Sequence, residues 1–97
     1  MAERRIGVNK TYLIERKNGT IVRSIEFIDD YRPALSIDRR YAKIDFMGGC
    51  VWYSDRKNFS TKEEGNEFYN QLKAEGCVAG TEVEVDQFIR RCGNLTY

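Results

Sequence analysis

The dipeptide Asn18-Gly19 separates two runs in which apolar and polar residues alternate, and it constrains the fold more than any other feature. Asn-Gly between alternating runs is the strongest short-range hairpin signal, because a two-residue type I′ turn needs positive φ at both central residues. The sequence therefore predicts a β-hairpin with Arg16 opposite Ile21. In this register the predicted core face carries Tyr12, Ile14, Ile21, Ile25 and Phe27.

Gly48-Gly49 lies between a second pair of alternating runs and predicts a second tight turn. The strand over residues 40–47 is expected to pair with residues 50–54, which places Phe46 opposite Val51. Two hairpins in succession indicate an antiparallel sheet. The predicted inward residues of this hairpin are Ala42, Ile44, Phe46, Val51 and Tyr53. The predicted opposite face carries Tyr41, Lys43, Asp45, Met47, Cys50 and Trp52.

The segment Ser60-Thr61-Lys62-Glu63 fits a capping box, in which Ser60 accepts from the third amide and Glu63 reaches back to the amide of Ser60. It predicts the start of the main helix, and Gly76 suits the left-handed residue that ends it. Gly65 lies on the apolar stripe of this helix, where close approach to the sheet would explain the absence of a side chain.

The remaining segments are predicted from shorter patterns. Residues 29–33 and 55–59 are polar and are predicted as connections. Residues 81–85 alternate and are predicted as a half-exposed strand, and residues 87–92 as a short helix capped by Asp86. The expected fold is α+β, with an antiparallel sheet of four to five strands, the two hairpins first, packed on one main helix and followed by a short C-terminal helix.

The 97 residues correspond to about one domain, predicted as a polar tail over residues 1–9 and a single α+β domain over residues 10–97. Sixteen Lys and Arg residues against 15 Asp and Glu residues give a net charge of +1. Such a small net charge produces no overall electrostatic attraction to nucleic acid or to anionic lipid. Three cysteines without C-x-x-C spacing indicate reduced thiols, and the N-terminus and the short apolar runs predict a cytoplasmic protein without a membrane segment.

The chain contains no histidine, which excludes histidine-dependent catalytic triads and histidine-ligated metal sites. The Walker loop, the dinucleotide-binding glycine motif and the nucleophile elbow are also absent from the sequence. Asp29-Asp30 leaves a weak magnesium site as an alternative, which rests on only two ligands. The sequence therefore predicts a protein that is not an enzyme and has no cofactor or metal.

Aromatic and basic residues cluster around the second hairpin, and Tyr, Trp and Arg are the residues that most often anchor interfaces. They predict a small interaction protein that binds another macromolecule, most simply a protein, and modulates or inhibits it. Such modules are common among phage and mobile-element proteins. The alternative is binding of RNA, single-stranded DNA or a nucleotide on an aromatic, basic sheet face, and edge-strand pairing makes a homodimer a further alternative. The predicted binding residues are Tyr31, Arg39, Arg40, Tyr41, Lys43, Trp52, Arg56 and Lys57.

Overall fold

The computed structural model of the chain describes residues 5–49 and 51–95, which form an antiparallel five-stranded sheet and two α-helices. A single turn of 3₁₀ helix, Pro33–Leu35, connects the second and third strands. The predicted α+β class is confirmed. The main elements, in chain order, are β1 (Gly7–Lys17), β2 (Thr20–Arg32), β3 (Ile37–Gly48), β4 (Val51–Phe59), α1 (Lys62–Ala74), β5 (Val78–Ala79) and α2 (Glu82–Leu95).

The strands lie in the order β4-β3-β2-β1-β5, so β4 forms one edge of the sheet. Side chains of directly paired residues share a face, and successive residues alternate between faces. One face carries Leu13 with its partner Ile25, and α1 packs on it; we call it the α1 face. The other face carries Ile14 with its partner Ser24, and we call it the α2 face.

Each face has its own hydrophobic cluster. On the α1 face, buried Leu13, Ile25, Ala42 and Phe59 pack with Leu72 of α1, and the Phe27 ring contacts the Tyr69 ring at a centroid distance of 5.4 Å. The cluster on the α2 face joins sheet residues to α2. Its members are Met47, Phe88 and Cys92, with Ile21, Trp52 and Ile89 partly buried against them. The prediction of one main helix with a short second one was therefore wrong, because α2 has 14 residues and covers part of the second face.

The first hairpin has the predicted turn, since Lys17 pairs with Thr20 and both Asn18 and Gly19 have positive φ, at 55° and 78°. The prediction of which β1 side chains share a face with Ile25 was wrong for the residues that precede Arg16. A β-bulge makes Arg16 pair with Ile21 while the preceding residue pairs with Arg23, so one residue of β2 is left over. The bulge shifts the register by one residue, and Leu13 instead of Tyr12 or Ile14 therefore joins the α1 face with Ile25.

In the second hairpin the predicted faces were right but the register was wrong. Gly48 pairs with Val51 and Phe46 with Tyr53, two residues away from the predicted pairing. The shift by two keeps every side chain on its predicted face. The predicted loop over residues 55–59 is the second half of β4, and the predicted connection over residues 29–33 is mostly the end of β2.

Helix α1 begins one residue later than predicted, with Thr61 as N-cap accepting from the Glu64 amide at 3.3 Å. The Glu64 carboxylate accepts from the Ser60 amide at 2.9 Å, so the capping glutamate is Glu64 and not Glu63. The predicted end is confirmed. Gly76 has φ +111°, and the amides of Gly76 and Cys77 donate to carbonyls of the last turn, as in a Schellman motif.

The predicted strand over residues 81–85 is instead the start of α2. The Thr81 hydroxyl accepts from the Glu84 amide at 3.2 Å, and the Glu84 carboxylate accepts from the Thr81 amide at 3.0 Å. This capping box begins the helix, and Val85, Phe88 and Cys92 then follow at helical spacing on its buried side. The fifth strand is the two-residue β5, which pairs with Leu13 and Ile14.

The predicted N-terminal tail over residues 1–9 lies partly outside the described residues, and β1 already begins at Gly7. Within the described part of the chain, no helix combines the length and apolar character needed to cross a bilayer.

Candidate functional site

The structure divides the eight predicted binding residues between the two faces of the sheet. Strand pairing places Tyr31, Arg40 and Lys57 on the α1 face, where the Lys57 ammonium lies 5.1 Å from the centre of the Phe68 ring. The other five lie on the opposite face. They are Arg39, Tyr41, Lys43, Trp52 and Arg56. These five predicted residues therefore share one face of the sheet, and the first three lie on the other face.

A half-buried tyrosine ring organises the cationic part of the α2 face. The guanidinium carbon of Arg56 lies 3.8 Å from the centre of the Tyr41 ring, and that of Arg39 lies 5.6 Å away. Lys43 is exposed and pairs directly with Arg56 across β3 and β4. We call Arg39, Tyr41, Lys43 and Arg56 the cationic surface. Two guanidinium groups on one ring form a cation–π arrangement, in which the Arg39 Nε also donates to Asp30 and the Arg56 Nε to the Asn58 side chain.

Asp30 fixes one border of the cationic surface. It is 2% exposed, and its carboxylate accepts two hydrogen bonds from Arg32, at 2.7 and 2.9 Å, and one from Arg39 at 3.1 Å. The hydrogen bonds from Arg32, followed by those from Arg39, hold the pKa of Asp30 below its usual range. Both carboxylate oxygens are engaged by arginines, so Asp30 is a structural anion that orients Arg39 and not a ligand prepared for a cation.

Trp52 forms the border towards α2. Its indole N–H donates to Asp45 at 3.0 Å, and its ring is partly buried against the cluster of Met47, Phe88 and Cys92. This packing fixes the ring between the sheet and α2. Trp52 therefore contributes to the second core rather than to a stacking platform, and Tyr41 is the aromatic residue of the cationic surface.

The half of the α2 face that holds the cationic surface is positively charged. The strand side chains there are five cations and three carboxylates, a local charge of +2 in a chain whose total is +1: Lys10, Arg32, Arg39, Lys43 and Arg56 against Glu26, Asp30 and Asp45. Lys10 is paired with Glu26 at 3.6 Å, and Asp30 is shared by two arginines. Lys43 and Arg56 are the cations on this surface that are exposed and have no carboxylate within ion-pair distance among the described residues.

The outer edge of strand β4 is a second candidate binding feature. It was not predicted, because the sequence indicated a loop over residues 55–59. Seven of the nine residues of β4 are exposed, and only its inner side pairs with another described strand. On the α1 face, Phe46 is 37% exposed and stacks on Tyr53, which is 60% exposed, with centroids 6.4 Å apart. We call Phe46, Val51 and Tyr53 the edge patch. These residues were predicted to point inward, but α1 packs over the other end of the sheet, around Phe59.

The part of the chain that the structure describes contains no group of three or more Cys, Asp or Glu side chains able to hold a metal ion. Cys77 and Cys92 are buried free thiols, and burial raises the pKa of both. A raised pKa reduces the thiolate fraction and with it the nucleophilicity of these cysteines. Cys50, the third cysteine, lies outside the described residues.

Comparison of the chain with models of known protein families, with curated proteins and with solved structures finds no match.

Proposed function

We propose that this protein is a small non-catalytic interaction module, and that its partner protein adds an extended, acidic strand to β4. The observation that carries this proposal is the edge itself: β4 has nine residues, seven of them exposed, and among the described strands only β3 lies beside it. An unpaired strand edge offers a row of amide and carbonyl groups to another chain. Binding there modulates or inhibits the partner by occupying its segment.

The backbone of β4 indicates which residues bond to an added strand. Val51 pairs with Gly48 across a two-residue turn, so this pair exchanges hydrogen bonds, and the pattern continues at every second residue. The odd-numbered residues of β4 therefore bond to β3. The amides of Ser54 and Asn58 point to the outer edge, where an added strand would meet them, whereas the Arg56 amide between them donates to the Asp55 carboxylate at 2.8 Å.

The side chains beside this edge favour an acidic partner. Lys43 and Arg56 lie on the α2 face and Lys57 on the α1 face, whereas Asp55 is the acidic residue within β4. The edge patch adds exposed apolar and aromatic area near the turn. Tyr and Arg at the centre of such a surface are typical interface anchors, and the charges determine partner choice and association rate.

A peptide pair of opposite charge tests the proposal. A labelled peptide of alternating Glu and Val should bind, and the matching Lys and Val peptide should bind at least about tenfold more weakly, as measured by fluorescence anisotropy. Ser54→Pro removes an outward amide without touching the bonds to β3, and it should abolish binding. Ser54→Ala keeps the amide and should bind like the parent. Equal affinity for the two peptides, or no effect of Ser54→Pro, would refute the proposal.

A second candidate function is binding of RNA, single-stranded DNA or a nucleotide, and the two guanidinium groups around Tyr41 favour it. Aromatic rings and cations together bind bases and phosphates, each stacked base contributing about 1 to 3 kcal/mol. Salt separates the two candidates. Binding of a labelled oligouridine should weaken by about 0.7 in log K per phosphate contact for each tenfold rise in salt, and Tyr41→Leu should weaken it further.

The same edge also accepts a second copy of the chain, which would give a homodimer by pairing of β4 with β4. Sedimentation equilibrium distinguishes this outcome from binding of another protein, because dimerisation depends on the concentration of this chain alone. Ser54→Pro should convert such a dimer into monomers.

A further inference from the structure

A cleft of about 380 Å³ lies on the α1 face, beneath the first two turns of α1, and Tyr41 is the residue that it shares with the cationic surface. This volume falls within the range of small-molecule sites, about 300 to 1,000 Å³. Its apolar wall consists of the rings of Phe27, Phe59 and Tyr69. Polar groups line the remainder, including Asn9, Thr11, Asp29, Arg40, Lys62 and Asn66.

Arg40 lines this cleft, and one nitrogen of its guanidinium group has no hydrogen-bond partner in the described part of the chain. Its side chain is only 23% exposed, and its Nε is buried and donates to no acceptor among the described residues. Its nearest ion-pair contact is with Asp38, where the nitrogen and oxygen atoms are 3.8 Å apart, too far for a hydrogen bond. A buried N–H without an acceptor is costly, so the Arg40 guanidinium is incompletely satisfied, and a bound molecule would meet it at the part of the side chain that remains 23% exposed.

The geometry of the Arg40 guanidinium defines the acceptor. Lys62 of α1 also lines the cleft, as does Asp29, the cross-strand partner of Arg40. Because Asp38 lies 3.8 Å from Arg40, two carboxylates balance these two cations, so the shape of the guanidinium and not a net positive charge selects the ligand. A guanidinium binds a carboxylate through two parallel N–H donors, and these charge-assisted bonds are about twice as strong as neutral ones.

We propose that this cleft binds an aromatic or aliphatic group that ends in a carboxylate. The apolar body would lie against Phe27, Phe59 and Tyr69, and the carboxylate would accept from Arg40 and approach the Lys62 ammonium. Such a group occurs in small hydrophobic acids and at the C-terminus of a peptide that ends in an apolar residue. The site shares Phe59 with the end of β4 but uses neither the Ser54 amide nor the cationic side chains of the proposed strand-binding edge, so the two proposals are tested by different variants.

A matched pair of ligands tests this assignment. 4-Phenylbutyrate carries the carboxylate, and 4-phenylbutyramide has the same apolar body without the charge. In an NMR titration of the ¹⁵N-labelled protein, 4-phenylbutyrate should shift the amide signals of Gly65 and Asn66, and the amide analogue should bind about tenfold more weakly. Absence of shifts at these residues, or equal affinity for the two ligands, would overturn the proposal.

Variants then identify the residues involved. Arg40→Gln should reduce the affinity for 4-phenylbutyrate about tenfold, to the level of its amide, and should leave the affinity for 4-phenylbutyramide unchanged. Lys62→Gln is an exposed substitution that should preserve folding and weaken only the charged ligand. Lys17→Gln makes the same charge change in the first hairpin and should have no effect. If Lys17→Gln weakens binding as much as the cleft variants do, the overall charge explains the affinity and the site is refuted.

The two sources of the ligand are separated by a third titration. The tripeptide Gly-Gly-Phe with a free C-terminus is compared with its C-terminal amide. Binding of the free peptide at the affinity of 4-phenylbutyrate identifies a protein C-terminus as an accepted ligand, whereas binding of 4-phenylbutyrate alone identifies a small hydrophobic acid. Both results retain the carboxylate site; binding of the amidated peptide as tightly as the free one contradicts it.

Discussion

The Arg56 guanidinium lies across the Tyr41 ring, with 3.8 Å between the guanidinium carbon and the ring centre. The two residues are diagonal neighbours on β4 and β3, because Tyr41 pairs with Asn58 and Arg56 with Lys43. Diagonal positions lie within reach of aromatic and long side chains. The contact holds the exposed arginine of the edge strand against the interior of the sheet, and it connects the two features of the proposed binding surface.

A double-mutant cycle measures this contact. Tyr41→Leu and Arg56→Gln, singly and together, should give a coupling energy of about 0.5 to 1 kcal/mol in urea unfolding, the range for exposed cation–π pairs. The same cycle with Lys43→Gln in place of Arg56→Gln serves as control and should give a smaller coupling. A coupling indistinguishable from zero for Tyr41 and Arg56 would show that the contact contributes nothing to stability.

Trp52 should stabilise the fold through its indole N–H as well as through its ring. Trp52→Phe leaves the buried Asp45 carboxylate without this donor, so we expect a loss of about 1 to 3 kcal/mol in the free energy of unfolding. Guanidinium unfolding followed by circular dichroism measures it, since Trp52 is the one tryptophan. Adding Asp45→Leu should recover part of the loss by removing the unpaired acceptor. A Trp52→Phe variant as stable as the parent would contradict this account.

The features that the sequence predicted correctly are those fixed by local chemistry. Asn18 and Gly19 accept positive φ, and Gly76 ends α1 in the left-handed region. The failures came from non-local packing. In the first hairpin, Val22 can either pair in a regular ladder or be left over in a bulge. Only the packing of both sheet faces selects the register with the bulge. Because helices cover both faces, alternation alone did not show which apolar side chains share a cluster.

The second half of the chain shows how two periodicities compete. Residues 81–85 alternate as a strand would, yet Thr81 and Glu84 form a capping box and Val85, Phe88 and Cys92 recur at helical spacing. The helix forms because its spacing buries three side chains against the sheet, whereas the short alternating run does not extend far enough to do so. For the candidate site, the alternation of side chains along the strands correctly placed Tyr41, Lys43 and Trp52 on one face. The burial of Trp52 depends on α2, which was predicted to be shorter than it is.

Gly65 is predicted to tolerate a side chain. A methyl group at this position would lie 3.6 Å from the Phe59 ring, an ordinary van der Waals distance, so close approach of α1 to the sheet does not require glycine. Gly65→Ala should therefore stabilise the protein by about 0.5 to 1 kcal/mol through the gain in helix propensity. Gly76→Ala is the contrasting variant, and it should be destabilising because φ there is +111°. Thermal unfolding compares the two; a destabilised Gly65→Ala would show that the helix cannot accept the methyl group.

Glu84 should make the free energy of unfolding depend on pH in the acidic range. Hydrogen bonds from the Thr81 side chain, followed by one from Arg16, lower the pKa of Glu84 below its ordinary value of 4.5. A carboxyl whose pKa is lower in the folded state contributes stability that is present above that ordinary value and is lost as the pH falls through the folded pKa. Glu84→Gln should therefore be less stable than the parent at about pH 7, and the difference should be smaller at about pH 3, because the stabilisation declines as the pH falls below 4.5 towards the folded pKa. Urea unfolding at both pH values measures this, with Glu67→Gln on the exposed side of α1 as the charge-matched control. A difference for Glu84→Gln that is the same at both pH values would mean that its carboxylate charge plays no part in holding β1 to the start of α2.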